Sequence, residues 1–155
     1  MLRVVAHVPA AEARGTPFDV IVLRHDERRV RRRLLTLQHG DEVMLDFPAT
    51  ITLADRDRLE LSDRRTVEVI AAEEPLLDVR GRDATHLARL AWHIGNRHAP
   101  AEIGPDRILI GRDPTLAAML RGLGAALTEV TEPFSPEPGA YAHGHGAEPH
   151  ALLNR

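Results

Sequence analysis

The chain has 155 residues, with no cysteine, no lysine and an aromatic content of only 3%. The absence of cysteine excludes disulfide scaffolds, thiolate zinc sites and thiol nucleophiles. It fits a reducing cytoplasm, the compartment expected for this protein. All 20 basic residues are arginine, which excludes Schiff-base lysine chemistry and a Walker-type phosphate loop. With one Trp, one Tyr and three Phe, the core has to be aliphatic, and the stacking aromatics of an RNA-binding platform are missing. No apolar run approaches the roughly 20 residues of a membrane span, so no membrane association is expected. The N-terminus, M-L-R-V-V-A-H-V-P, is too short and polar for a signal peptide. A net charge of -3 makes nucleic acid an unexpected partner.

What remains is enough to fold. Hydrophobic residues make up 43% of the chain, and the length suits one medium domain or two small ones. The first half reads as β structure. Leu2–Val8, Phe18–Leu23, Glu42–Phe47, Thr50–Leu53, Leu59–Leu61 and Thr66–Ala71 are short, rich in Val, Ile and Leu, and separated by turn residues that include Gly40-Asp41 and Pro48. The expectation is a small β-barrel or sandwich over residues 1–74. Glu73-Glu74-Pro75 breaks the pattern and marks a domain boundary.

The second domain, residues 75–134, alternates between strand and helix. Leu76–Arg80 reads as a strand. Asp83 caps a helix whose apolar positions Leu87, Leu90, Ala91 and Ile94 follow helical spacing, and Gly95 is placed to end it in a left-handed conformation. Ala101–Gly104 and Arg107–Gly111 read as strands. Asp113-Pro114 opens a second helix with the stripe Leu116, Met119, Leu120 and Leu123, and Gly124 stops it. Ala126–Thr131 is the last strand. The order βαββαβ predicts a ferredoxin-like α+β domain. Residues 135–155 are poor in apolar residues and rich in Pro, Gly, Ala and His, so they read as a flexible tail.

The residues able to carry chemistry are histidines. His98 follows Gly95-Asn96-Arg97 on a turn at a helix C-terminus, where partial negative charge favours a cation. By position alone it is more often a surface loop residue than a ligand. The tail shifts that balance, because His143-Gly144-His145 and His150 form a short His-rich tract of the kind that binds metal. Neutral imidazole suits late divalent metals, namely Ni(II), Zn(II) or Cu(II). One rigid histidine cannot make a site. A two-fold homodimer that brings His98 to its mate supplies two fixed ligands, and the tails add more. Protons compete for free imidazole near its pKa of about 6.5, so metal is expected to leave as the pH falls through that region.

The other histidines carry less. His86 and His93 lie seven residues apart, too far for one ion, and read as a solvated helix face. His93 remains a candidate second-shell residue because it lies near His98. His7, His25 and His39 read as structural. The run Arg28-Arg29-Val30-Arg31-Arg32-Arg33 reads as a solvated edge strand rather than a nucleic-acid surface. There is no Ser/His/Asp order, no H-E-x-x-H and no nucleotide loop, so no enzyme is expected.

L-A-W-H-I-G-N-R-H-A-P, I-L-I-G-R-D, M-L-R-G-L-G-A and E-P-F-S-P-E-P-G-A-Y followed by a histidine tail together resemble the urease accessory protein E family, the nickel metallochaperones of urease maturation. The segment Arg31–Leu45 resembles the family's L-x-x-G-x-E-V-x-L hairpin. The resemblance implies a β-rich N-terminal domain joined to a ferredoxin-like metal-binding domain. It also implies a homodimer through the C-terminal domains, and nickel delivery to the urease apoprotein complex through the accessory GTPase. The family's interface histidine matches His98, and its C-terminal histidines match His143, His145 and His150 in kind. Some relatives carry a further histidine where this chain has Pro114, so no peripheral site is expected there. The tail is too sparse for bulk nickel storage. A zinc or copper buffer with the same ligands stays open, since residue type does not select nickel. Six-coordinate N/O ligation would point to nickel and tetrahedral ligation to zinc. An RNA-binding module is the more distant alternative.

Overall fold

A computed structural model describes residues 1–139. The chain divides into two compact units, Met1–Glu74 and Pro75–Arg155. The protein is mixed α+β, mostly sheet, with two helices and two sheets among the described residues.

The first unit is built from β1 (Leu2–Val8), β2 (Asp19–Leu23), β3 (Arg29–Thr36), β4 (Glu42–Thr52), β5 (Arg58–Leu61) and β6 (Thr66–Ala71). They form one six-stranded sheet in the order β2-β6-β5-β1-β4-β3, in which β1 with β4 and β2 with β6 run parallel. The core is aliphatic, as the scarcity of aromatics requires: Leu45, Leu53, Val67 and Val69 are fully buried at its centre. The arginine run lies on β3, an edge strand, with Arg29, Arg31, Arg32 and Arg33 exposed. Arg28 instead turns inward and is buried. Edge charges of this kind oppose pairing with another sheet.

Pro48 was expected to break the chain into two strands. It lies inside β4 instead, where the register with β3 jumps from Val30↔Ile51 to Arg32↔Asp46. Residues 47–50 sit in that irregularity, so the missing proline N–H removes no ladder bond. Three buried carboxylates each meet a histidine ring: Asp57 with His7 at 2.6 Å, Glu74 with His25 at 2.8 Å and Asp19 with His39 at 2.8 Å. These contacts give the three histidines of the first unit structural roles.

The second unit contains β7 (Glu73–Arg80, which starts at the end of the first unit), α1 (Ala84–Asn96), β8 (Ala101–Ile103), β9 (Ile108–Gly111), α2 (Pro114–Gly122) and β10 (Ala126–Pro133). Pro75 is again inside a strand rather than before it. On its β9 side the β7 ladder starts at Leu76↔Gly111, one residue after the proline. The sheet order is β10-β7-β9-β8. Leu77, Val79, Ile108 and Ile110 face one way and bury Leu87, Leu90 and Ile94 of α1 with Leu116, Ala117 and Leu120 of α2. Both helices therefore pack on one face of the sheet.

The opposite face carries Leu76, Leu109 and Phe134, and beside them a charge network. Buried Asp78 accepts from Arg80 Nε at 3.0 Å and from Arg107 Nη1 at 3.1 Å, and Arg107 also holds Glu132 at 2.8 Å. Burial pushes the Asp78 carboxyl up, but the bonds from Arg80 and Arg107 outweigh it and hold the group below its ordinary value. A depressed carboxyl stabilises the fold above the ordinary carboxylate range, and that contribution is lost as pH falls through the depressed value.

His86 corrects the helix-face expectation. It is 7% exposed, not solvated. Its Nδ1 accepts from the Arg82 N–H at 2.9 Å, and its Nε2 then donates to the Leu123 carbonyl at 2.8 Å. The ring thus ties the start of α1 to the end of α2. Replacing His86 by Ala leaves a buried donor and acceptor unmatched, and each is worth about 1–3 kcal/mol. His86→Ala is expected to lower the chemical-denaturation midpoint clearly, while His93→Ala leaves it nearly unchanged.

Candidate metal centre

The site is assembled at the C-terminus of α1. Asp83 begins the helix by accepting the His86 N–H at 2.7 Å. The buried stripe of Leu87, Leu90 and Ile94 fixes its rotation against the sheet. The last turn tightens: the Arg97 N–H reaches Ile94 O at 3.1 Å, and the His98 N–H reaches Gly95 O at 3.0 Å.

The helix does not end at Gly95 as expected. It runs through Asn96, and the left-handed residue is His98, with φ of 56°. The end of α2 shows what normally fills such a position. There Gly124 has φ of 87°, and its N–H meets Arg121 O at 3.0 Å. Glycine adopts this conformation freely, whereas a residue with a Cβ is destabilised by about 1 kcal/mol. A histidine held there, at the negative end of a helix, is a backbone outlier of the kind that clusters at functional sites.

His98 is exposed, and its ring makes no hydrogen bond among the described residues. Both ring nitrogens are therefore open to a ligand. His93, one turn earlier, is half-buried, and its ring meets Trp92 edge-on at 5.1 Å. Trp92 itself is 65% exposed. Among the described residues no group of three or more His, Asp or Glu is placed to hold one metal ion. Among the described residues His98 is thus an exposed candidate ligand that stands outside any group of three such residues. His143, His145 and His150 lie outside the described residues.

The start of α2 is capped by Asp113. Asp113 spends a carboxylate oxygen on the Thr115 and Leu116 N–H groups, at 2.9 and 3.1 Å, and Pro114 follows with no donor atom in its side chain. Arg97, Ala99, Asp113, Thr115 and Leu116 line a depression of about 190 Å³ there.

One arrangement was not legible in the sequence. Phe134 is buried against Leu76 and Leu109. Beyond it the Ser135 N–H meets Glu102 Oε1 at 2.7 Å, and the Glu137 N–H meets Ala101 O at 2.7 Å. The chain is thereby strapped to β8, three residues after His98. The repeated Pro around Phe134 signalled loss of regular structure but gave no sign of what the segment touches.

Comparison with known proteins matches this organisation. A model for the N-terminal domain of the UreE urease accessory protein covers residues 2–72, and one for its C-terminal domain covers residues 74–153. A urease accessory protein UreE of Mesorhizobium japonicum is 53% identical over 144 residues, covering 92% of this chain and 74% of the relative. One of Rhizobium leguminosarum bv. trifolii is 47% identical over 150 residues, covering 97% and 77%. One of Rhizobium rhizogenes is 47% identical over 150 residues, covering 97% and 89%. Two domain models in order and identity along nearly the whole length lead to one assignment: the chain belongs to the UreE urease accessory protein family.

Proposed function

We propose that this protein is a nickel-binding metallochaperone that delivers Ni(II) to the urease maturation complex. It acts in the cytoplasm as a non-enzymatic homodimer and passes metal to the urease apoprotein through the accessory GTPase. A ferredoxin-like domain, residues 75–134, carries the metal and the dimer contact. The β-rich domain, residues 1–74, precedes it, and the His-containing tail, residues 135–155, follows.

The observation that carries this reading is His98, an exposed imidazole with no partner among the described residues, held in the left-handed region at a helix C-terminus. One such ligand per chain is too few for Ni(II), so two chains share an ion across a two-fold axis. The strap at β8 supports a contribution from the tail. His143 follows Glu137 by six residues, a stretch that spans at most about 20 Å. Tail imidazoles drawn from a chain that must be ordered to bind give moderate affinity, which suits transfer.

Delivery is tested with nickel-loaded full-length protein, urease apoprotein, the accessory GTPase and GTP, under a chelator that keeps free nickel too low to activate urease. Urease activity should appear with the loaded protein and not with the metal-free one. Equal activation by both would refute delivery. Truncation after Tyr141 is expected to weaken nickel binding by about 10-fold, the loss typical of an auxiliary shell. Complete loss of binding in the truncated chain would move the primary site from His98 to the tail.

A further inference from the structure

The helix layer of the Pro75–Arg155 unit carries a charge pattern that the metal site does not use. From Arg82 to His98, and again from Arg112 to Ala125, the acidic residues are Asp83 and Asp113 alone. Both serve as helix caps. Asp83 accepts the His86 N–H at 2.7 Å, and Asp113 accepts the Thr115 and Leu116 N–H groups at 2.9 and 3.1 Å. Arg112 is spent on Glu129 at 2.9 Å. The other arginines of these two segments, Arg82, Arg89, Arg97 and Arg121, are exposed. None of their side chains makes a hydrogen bond or ion pair among the described residues. The sheet of the same unit is the reverse: there Arg80 and Arg107 find Asp78, Asp106 and Glu132.

Arg82 and Arg121 stand where α1 begins and α2 ends. The buried His86 ring joins those two ends through the Arg82 N–H and the Leu123 carbonyl. Gly124 leaves room for the Arg82 guanidinium: a Cβ at residue 124 would stand 2.5 Å from Arg82 Nη1. Arg121 is one turn earlier, with its carbonyl accepting the Gly124 N–H at 3.0 Å. Arg89 follows His86 by three residues, on the next turn of α1. Arg97 stands at the opposite end, in the depression it shares with Asp113. Three residues after Arg89, on the same side of the helix, comes Trp92, which is 65% exposed. An indole left to solvent beside unpaired guanidinium groups has the composition of an interface centre, where Trp and Arg are enriched.

We propose that this helix face docks an acidic surface of a partner protein, with carboxylates received by Arg82, Arg89 and Arg121 and an apolar side chain set against Trp92. The guanidinium fork matches a carboxylate in bidentate geometry. One exposed ion pair is weak, so a single small anion is held poorly, whereas a surface with several carboxylates engages the arginines together. A second copy is the wrong occupant, because two such faces would oppose like charges. Nucleic acid fits less well, since the chain has a net charge of -3. Helix α1 carries the face on to Asn96, beside His98. A partner docked there stands next to the nickel ligand, a placement that rests on the proposed function. The docking itself does not, because it uses no metal ligand.

The test is fluorescence anisotropy of a labelled hexaglutamate peptide with the metal-free, full-length protein at low salt, so that failure of nickel binding and failure of docking are read separately. Arg82→Ala, Arg89→Ala and Arg121→Ala combined should weaken binding about 10-fold, and Arg89→Lys alone should retain most of it. Added salt should weaken binding in the unmodified protein. The three side chains are exposed and unpaired, so the combined variant should melt at nearly the parent temperature, and weaker binding is then not misfolding. Trp92 is the chain's only tryptophan, so its emission should change as unlabelled peptide binds. Arg31→Ala, on the edge strand β3, should leave binding unchanged. Docking on this face is refuted if hexaglutamate does not bind, if the combined variant binds as well as the parent, if Trp92 emission does not respond, if Arg31→Ala reproduces the loss, or if inorganic phosphate or labelled hexathymidylate binds as tightly as the peptide.

Discussion

His98→Ala is expected to remove the tight nickel site, weakening binding by at least about 100-fold. Residues that only support a metal ligand are typically worth about 10–100-fold. His98 is proposed as a direct ligand, and in a two-fold dimer one substitution removes two of them. The alanine variant keeps a Cβ at a φ of 56° and therefore keeps the backbone penalty. His98→Gly is the sharper companion. It relieves that penalty and should stabilise the protein by about 1 kcal/mol while binding nickel as poorly as the alanine variant. A lost site in a more stable protein separates ligation from structural damage. Calorimetric titration with Ni(II) and a thermal melt check both halves, and unchanged affinity in either variant would overturn the assignment of His98.

Phe134→Ala should produce the largest loss of stability. The ring is 1% exposed and packs between Leu76 and Leu109, with Val130 beside it. Burying a phenylalanine so completely and then truncating it to alanine typically costs about 3–5 kcal/mol. The second effect reaches the metal. Phe134 precedes the two bonds that strap Ser135 and Glu137 to β8. Without that anchor the tail departs from a less defined point, so nickel affinity should fall modestly and by no more than in the chain truncated after Tyr141. Glu102→Ala removes the acceptor for Ser135 alone and should cost only about 1 kcal/mol. Urea denaturation of the three proteins checks the order, and a Phe134→Ala protein as stable as the parent would contradict the packing described for it.

Much of the architecture was legible because local chemistry decides it. Asp83 and Asp113-Pro114 start the two helices where their capping side chains predict, and Gly124 stops α2 by a positive φ that glycine adopts freely. The edge placement of the arginine run followed from charge alone. What failed to read out depended on partners distant in sequence. Gly95 is the stronger local stop signal, yet the helix runs one residue past it to Asn96. His86 lies on the polar side of a helical wheel, and only the arrival of Leu123, 37 residues later, buries it. Pro48 lies inside a strand because the register shift leaves its missing N–H unneeded, and Pro75 lies one residue before the β7 ladder with β9 begins.

The candidate site divides along the same line. The residue type and position of His98 could be read from G-N-R-H, but its left-handed backbone and the exposure of its ring could not. The strap that begins the tail beside β8 was invisible, since Phe134, Ser135 and Glu137 gain meaning only from Leu109, Glu102 and Ala101.

The most direct test is equilibrium titration of the full-length, monodisperse protein with Ni(II), with the subunit mass measured on the same sample. One tightly held ion per two chains, with weaker ions following, is the result expected if His98 and its mate share a site. A tightest ion bound once per chain would contradict the shared site and, with it, the proposed nickel-carrying dimer.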